Sequence, residues 1–255
     1  MKSKISVENA YSKLITLTTA RIGLGRSGIS IPTHHLLDFQ LAHAMAKDAV
    51  YLELDLDKLN LQTMLLHSKA KDRSIYLQRP DLGRRLDELS IKKIKESKLD
   101  KSYDLSIVIV DGLSSLAVHE NVNNFIEILM KDLSGWSLAP ICSVKQGRVA
   151  VGDEVGELLN AKVVIVLIGE RPGLSSPDSL GMYLTWAPHV GLTDESRNCV
   201  SNIRLKGLSF KEAVKKTVYL LNESKRLNYS GVNLKDRTVS NGINQIKSKQ
   251  KLLKL

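Results

Sequence analysis

The spacing of apolar residues along this 255-residue chain changes character near residue 70. Before it, Val7, Ala10, Tyr11, Leu14, Leu17 and Ile22 recur mostly three or four positions apart, which places them on one face of a helix. GLGRSGISIP, with three glycines and Pro32, breaks that pattern. A second helix is predicted from Thr33, an N-cap residue type, through Leu36, Leu37, Phe39, Leu41, Ala44 and Met45. Leu56 to Ala70 reads as helical again. After residue 70, short aliphatic runs alternate with amphipathic stretches. DRSIYLQ is predicted as a strand, Pro80, Asp81 and Gly83 as a turn, and the next residues as a helix through Lys98. Strands are predicted at Leu105–Val110, Ala139–Val144, Lys162–Ile168 and Tyr183–Trp186. Helices are predicted at Val122–Leu133, Asp153–Leu159 and Ser209–Leu227.

Strands that are apolar throughout, alternating with helices, imply a parallel sheet covered on both faces. The expected fold is therefore α/β: a small helical N-terminal unit (1–70), then a doubly wound, mostly parallel sheet (71–236), then a basic C-terminal tail (237–255). In such sheets ligands bind beyond the carboxyl ends of the strands. Two predicted strands end there in polar turns, Asp111-Gly112-Leu113-Ser114-Ser115 and Gly169-Glu170-Arg171-Pro172-Gly173. The adjacent charges Glu170 and Arg171 are either part of a site or a structural ion pair, and spacing alone leaves both readings open.

Composition narrows the class. With 43% hydrophobic and 25% charged residues the chain is globular rather than disordered. No apolar run approaches the roughly 20 residues of a membrane helix, and the polar start MKSKISVENAYSKL lacks the apolar block of a signal peptide. Two well-separated cysteines, Cys142 and Cys199, are expected as free thiols in a reducing cytoplasm. The net charge of +10 suggests nucleic acid, but Arg237–Leu255 holds one Arg, four Lys and no acid, which is half of that excess. The rest is dispersed among acids without aromatic-basic interleaving, so no nucleic-acid partner is expected. The tail is a solvated segment or a docking element for a partner.

The individual motifs carry little chemistry alone. GLGRSG at Gly23–Gly28 matches a dinucleotide fingerprint, with an acid downstream at Asp55, but the preceding stretch has helical rather than strand periodicity and Pro32 delays the next helix, which is the wrong setting for a pyrophosphate at a helix N-terminus. GLSSLA at Gly112–Ala117 lacks the second glycine of a serine nucleophile elbow. The six histidines form no metal-binding pair, so no metal site and no catalytic residue are assigned. His119-Glu120 is a site pair or a solvated helix start. Arg79, Arg84 and Arg85 around Pro80 and Gly83 are surface arginines or a grip for an anion or a partner.

Taken together, the motifs resemble a known family. They are R-x-x-x-GR-x-G at Arg21–Gly28, Thr33, Lys47-Asp48, RPDLGRRL at Arg79–Leu86, VDGLSS at Val110–Ser115 and GRV at Gly147–Val149. GELLNAKVVIVLIGERPGLSSPDSL at Gly156–Leu180, CVSNI at Cys199–Ile203 and SGVN at Ser230–Asn233 complete the series, so that the likeness runs from about residue 7 to 236. In order and approximate spacing they resemble the small (light) subunit of ethanolamine ammonia-lyase.

The resemblance implies a Rossmann-like C-terminal domain and a hetero-oligomer with a barrel-shaped large subunit that carries the substrate pocket and the catalytic side chains. It implies adenosylcobalamin (coenzyme B12) held between the two subunits, and conversion of ethanolamine to acetaldehyde and ammonia by a radical route. It carries over Val149, Glu170 and Cys199 as cofactor-binding residues. Packaging in a bacterial microcompartment, linked in the family to a longer polar N-terminal extension, stays open. So do two other readings, a stand-alone cobalamin module and an NAD(P)-dependent oxidoreductase built on GLGRSG.

Overall fold

The structure, a computed structural model, describes residues 11, 14, 17, 18, 20–97 and 102–238. A six-stranded sheet forms its centre, in the spatial order β1-β3-β2-β4-β5-β6. The strands are β1 (Met64–His67), β2 (Tyr103–Val110), β3 (Cys142–Lys145), β4 (Ala161–Gly169), β5 (Leu180–Trp186) and β6 (Arg197–Ile203). The first four in sequence pair in parallel, whereas β5 runs antiparallel to β4 and β6 antiparallel to β5. The helices are α1 (Thr33–Tyr51), α2 (Arg73–Gln78), α3 (Glu88–Glu96), α4 (Ser115–Lys131), α5 (Val151–Leu158) and α6 (Phe210–Leu227).

Period-two alternation of buried residues divides the core into two layers. Leu105, Ile107 and Ile109 of β2 and Val163, Ile165 and Leu167 of β4 pack with Val118, Val122, Phe125 and Ile126 of α4 and Leu220 and Leu221 of α6. The intervening residues Val108, Val110, Val164, Val166 and Ile168 face the other way, onto Ile94 of α3 and Val151 and Val155 of α5. With both faces covered, β2 and β4 need apolar residues at nearly every position, which is why they read as unbroken aliphatic runs.

Among the described residues, four α-helices begin on side-chain caps that satisfy orphan backbone donors. Asp72 accepts from Ile75 N–H, Asp87 from Ser90 N–H, Ser114 from Ala117 N–H and Ser209 from Glu212 N–H. At the far end of α6, Asn228 adopts the left-handed conformation (φ 58°) that closes a helix, behind Lys225 and Arg226 in the last turn.

Several sequence expectations are corrected. Leu56–Ala70 is not a helix: Leu56–Lys58 is a single 3-10 turn and Met64–His67 is β1, the edge strand of the sheet. Its hydrogen-bond partners lie on β3, with Met64 opposite Cys142, and local periodicity of a four-residue strand carries no trace of that distant pairing. DRSIYLQ is not a strand either. The Asp72 cap commits it to α2, which buries Tyr76. Helix α4 starts at Ser115, earlier than the expected Val122, because Ser114 caps it. Strand β6 was not foreseen. The expected helix Val7–Ile22 lies largely outside the described residues, as do Lys98 and the tail beyond 238. Among the described residues no helix is long and apolar enough to cross a membrane.

Candidate functional site

The carboxyl ends of β2 and β4 meet backbone to backbone. Leu113 N–H donates to the carbonyl of Gly169 at 2.9 Å. Gly112 has φ +56°, and a Cβ there would stand 2.3 Å from the Gly169 oxygen; one on Gly169 would stand 2.0 Å from the Ser114 oxygen. Only glycine fits either position. Asp111, buried beneath this contact, accepts from the N–H groups of Gln146 (2.7 Å) and Gly147 (3.0 Å) and pairs with Arg73 at 3.9 Å. Burial pushes its carboxyl up against the opposing pull of those donors. The DG turn after β2 thereby fixes the loop after β3, the one that carries Arg148 and Val149.

The arginine-rich RPDLGRRL segment braces the same loop. Arg148 N–H donates to the Gly83 carbonyl at 2.7 Å, and its guanidinium lies over the Tyr76 ring, 4.3 Å from the centroid. Arg73 sits 4.8 Å from that centroid, and the Tyr76 hydroxyl donates to the Gly147 carbonyl at 2.9 Å. The segment's own arginines are mostly engaged within the chain. Arg79 pairs with Asp81 and Arg85 grips Glu154 in a bidentate pair of 2.9 and 3.1 Å, while Arg84 is exposed.

Between these elements opens a cavity of about 380 Å³, bordered by Tyr76, Arg148, Val149, Glu170, Arg171 and Tyr183. Val149 and Glu170, assigned from separate motifs, thus share one concavity at the sheet edge. Cys199 does not border it, but it is exposed and faces Tyr183 across the β5–β6 ladder. Burial pushes the Tyr183 hydroxyl up, and Cys199 and Glu170 push it further. The Cys199 thiol is also raised, first by desolvation, against a lowering influence of Tyr183 and with a further push from Glu170. Cys142, by contrast, is core filler whose thiol burial pushes up to about 12.

Other candidates have structural roles. The Ser114 hydroxyl caps α4 and donates to the Pro177 carbonyl at 2.8 Å, so it is not poised as a nucleophile. His119 Nε2 accepts from Asp55 N–H at 3.0 Å, joining α4 to the segment after α1 rather than opening to a ligand. GLGRSG sits in an irregular stretch before α1, with no strand among the described residues ahead of it, and Gly25 and Gly28 face open space. A larger cavity of about 490 Å³ near Arg84, Asp194 and Arg197 is lined largely by paired charges, with Arg197 bound to both Asp153 and Asp194 and Arg85 to Glu154. Among the described residues no group of three or more His, Cys, Asp or Glu is placed to hold a metal ion.

The sequence comparisons decide between readings that geometry leaves open. Residues 8–235 match the sequence model of the ethanolamine ammonia-lyase light chain (EutC). The chain belongs to the ethanolamine ammonia-lyase light chain family. The ethanolamine ammonia-lyase small subunit of Pseudomonas aeruginosa (strain UCBPP-PA14) is 55% identical over 242 residues, 91% of this chain and 89% of the relative. That of Xanthomonas campestris pv. campestris (strain B100) is 54% identical over 239 residues, covering 89% and 88% of the two chains. That of Pseudomonas fluorescens (strain Pf0-1) is 52% identical over 246 residues, covering 92% and 90%.

For a light chain of this family, sequence motifs had singled out Val149, Glu170 and Cys199 but not Tyr183, Tyr76 or Arg148, which complete the concavity. Arg148 lies inside the GRV motif and could have been included on that ground. Tyr183 joins Cys199 to the cavity only through the strand register, and no local signal announces it.

Proposed function

We propose that this chain is the small subunit of an ethanolamine ammonia-lyase and that the carboxyl edge of its Rossmann-like sheet forms one wall of an adenosylcobalamin site. A large, barrel-forming subunit completes that site within a higher hetero-oligomer and brings the substrate pocket for ethanolamine, so that this chain alone is inactive. The observation that carries the reading is the convergence of Val149 and Glu170 on one open cavity, with Cys199 joined to its border through Tyr183.

The size of the cavity fits a shared site. Pockets that enclose drug-sized ligands run from about 300 to 1,000 Å³, and a corrinoid with its nucleotide tail is larger than such ligands. A cavity of about 380 Å³ takes only one edge of it. The chemistry of the wall also fits. Val149 offers an apolar contact, Glu170 an acceptor for the amide N–H groups that fringe a corrin, and Arg171 an exposed cation for the phosphate of the nucleotide tail. When bound, adenosylcobalamin supplies a radical through homolysis of its cobalt–carbon bond. The residues of this chain hold and orient the cofactor and help exclude water from the interface. The division into an N-terminal helical unit and a cofactor-binding domain belongs to the same proposal, with β1 counted with the sheet. So does residence in the cytoplasm, free or within a microcompartment.

The test is to purify the chain alone and together with its large subunit, then add adenosylcobalamin and ethanolamine. Ammonia and acetaldehyde are expected from the two-chain preparation only. Glu170→Ala in that preparation is expected to weaken cobalamin binding by roughly tenfold or more, the scale of a lost hydrogen bond to a charged group. Tight binding of cobalamin or NADH by the chain alone, with no ammonia from the pair, would overturn the proposal.

A further inference from the structure

The Glu170 carboxylate is held by donors from two directions. The Ser179 hydroxyl, just ahead of β5, donates to Oε2 at 2.5 Å. From the end of β6, the Ser201 hydroxyl donates to Oε1 at 2.5 Å and the Asn202 N–H to Oε2 at 3.3 Å. The Glu170 N–H is tied as well, to the Ser179 carbonyl at 2.9 Å. A side chain with this many rotatable bonds would otherwise sample several rotamers at the rim of an open cavity.

The β6 donors reach Glu170 because the β5–β6 ladder is irregular there. Met182 pairs with Val200 and Leu180 with Ile203, so Gly181 alone stands opposite both Ser201 and Asn202. This is a β-bulge, with one extra residue on β6 and Asn202 in the left-handed region at φ 61°. In a regular ladder, successive residues point to opposite faces; the bulge is what lets the Ser201 side chain and the next backbone N–H address one carboxylate. Gly181 makes room for it, since a Cβ there would stand 2.9 Å from Glu170 Oε1. The bulge is itself held by the following turn, where Leu208 N–H donates to the Asn202 carbonyl at 2.7 Å and Arg204 Nε to Asn202 Oδ1 at 2.9 Å.

We infer that the Ser201-Asn202 bulge is a positioning device for the cofactor site and that Ser179 and Ser201 are positioning residues acting through Glu170. The inference rests on the reading of Glu170 as a cobalamin contact. A carboxylate offers about four lone-pair sites, so the donors from Ser179, Ser201 and Asn202 fix its orientation and still leave acceptor capacity for an amide N–H of the corrin. The same clamp keeps Glu170 from turning to Arg148 or Arg171, the cations that border the cavity, and from pairing there instead of with the cofactor.

The test uses the full chain assembled with its large subunit, and the readout is the dissociation constant of adenosylcobalamin from spectral titration, independent of turnover. Ser201→Ala is expected to weaken binding by about three- to tenfold, and Ser201→Thr, which keeps the hydroxyl, to restore it. Ser179→Ala is expected to weaken it similarly and serves if the Ser201 variant fails to assemble. In a Glu170→Ala background the Ser201→Ala change is expected to add nothing, because the residue acts through the group already removed. If Glu170→Ala leaves affinity unchanged, the underlying reading of the site fails. If Glu170→Ala weakens binding but both serine variants bind normally, or if the two changes are additive, the positioning role fails while the reading of Glu170 stands.

Discussion

Helices α1 and α4 are close in length, 19 and 17 residues, yet opposite in what the chain does with them. Helix α4 buries Val118, Val122, Phe125, Ile126 and Leu129 on one stripe against the sheet. Helix α1 buries only Ala46 and Ala49, while Leu37, Leu41 and Met45 are 57, 62 and 50% exposed. Both have apolar residues enough to form a helix with something to cover. Apolar spacing specifies that a face is suited to burial but not what buries it. For α4 the cover is the sheet of this chain; for α1 the described residues provide little.

The largest effect that would break this contrast is at Phe125, fully buried at the centre of α4. Phe125→Ala is expected to cost about 3–5 kcal/mol through lost contacts and a cavity, measured by urea unfolding of the isolated chain. A value under about 1 kcal/mol would mean that α4 is not the anchor its burial implies.

A smaller effect lies at the joint between the two helices, where His119 Nε2 accepts from Asp55 N–H and therefore has to be unprotonated. Burial first, and then Lys58, lower its pKa from 6.5, against a raising influence of Asp55. Below 6.5 the unfolded chain takes up a proton that the folded chain resists, so this contribution is complete above 6.5 and is lost as pH falls through the lowered folded value. Unfolding measured across that window is expected to show a decline in stability that His119→Gln flattens. An unchanged slope in the variant would detach His119 from the joint.

The smallest expected effect is on α1 itself. Leu37→Ala is expected to change the stability of the isolated chain by no more than about 0.5 kcal/mol, as for surface positions generally. A loss of 2 kcal/mol or more, in the range of about 2–5 kcal/mol for a buried leucine, would show that part of this chain outside the described residues covers the helix.

The same distinction explains what was legible in the sequence. Strand β4 was expected at Lys162–Ile168 and spans Ala161–Gly169, and α6 was expected from Ser209 and spans Phe210–Leu227, because a doubly covered strand and a capped amphipathic helix carry their signals locally. Strand β1 was misread and β6 missed because each is defined by its neighbour in the sheet. MLLH borrows its partner from β3, and RNCVSNI has four polar residues in seven and pairs on β5. In the candidate site, the place of Glu170 at a strand end left a site and a structural ion pair both open, and motif resemblance carried over Glu170, Val149 and Cys199 as candidates. What relates Tyr183, Ser179 and Ser201 to Glu170 is the register of an antiparallel ladder and its bulge, which neighbouring residues in the chain do not encode.

The glycine contact between the ends of β2 and β4 has a mechanical consequence. With Leu113 N–H bonded to the Gly169 carbonyl and no space for a side chain at Gly112 or Gly169, the two turns form a single stiff plate, as incompressible as the packed interior beneath it. If the cavity takes a ligand as proposed, accommodation of it is expected to fall to the flanks, the Tyr76–Arg148 stack and the β5–β6 hairpin, while the base between them keeps its shape.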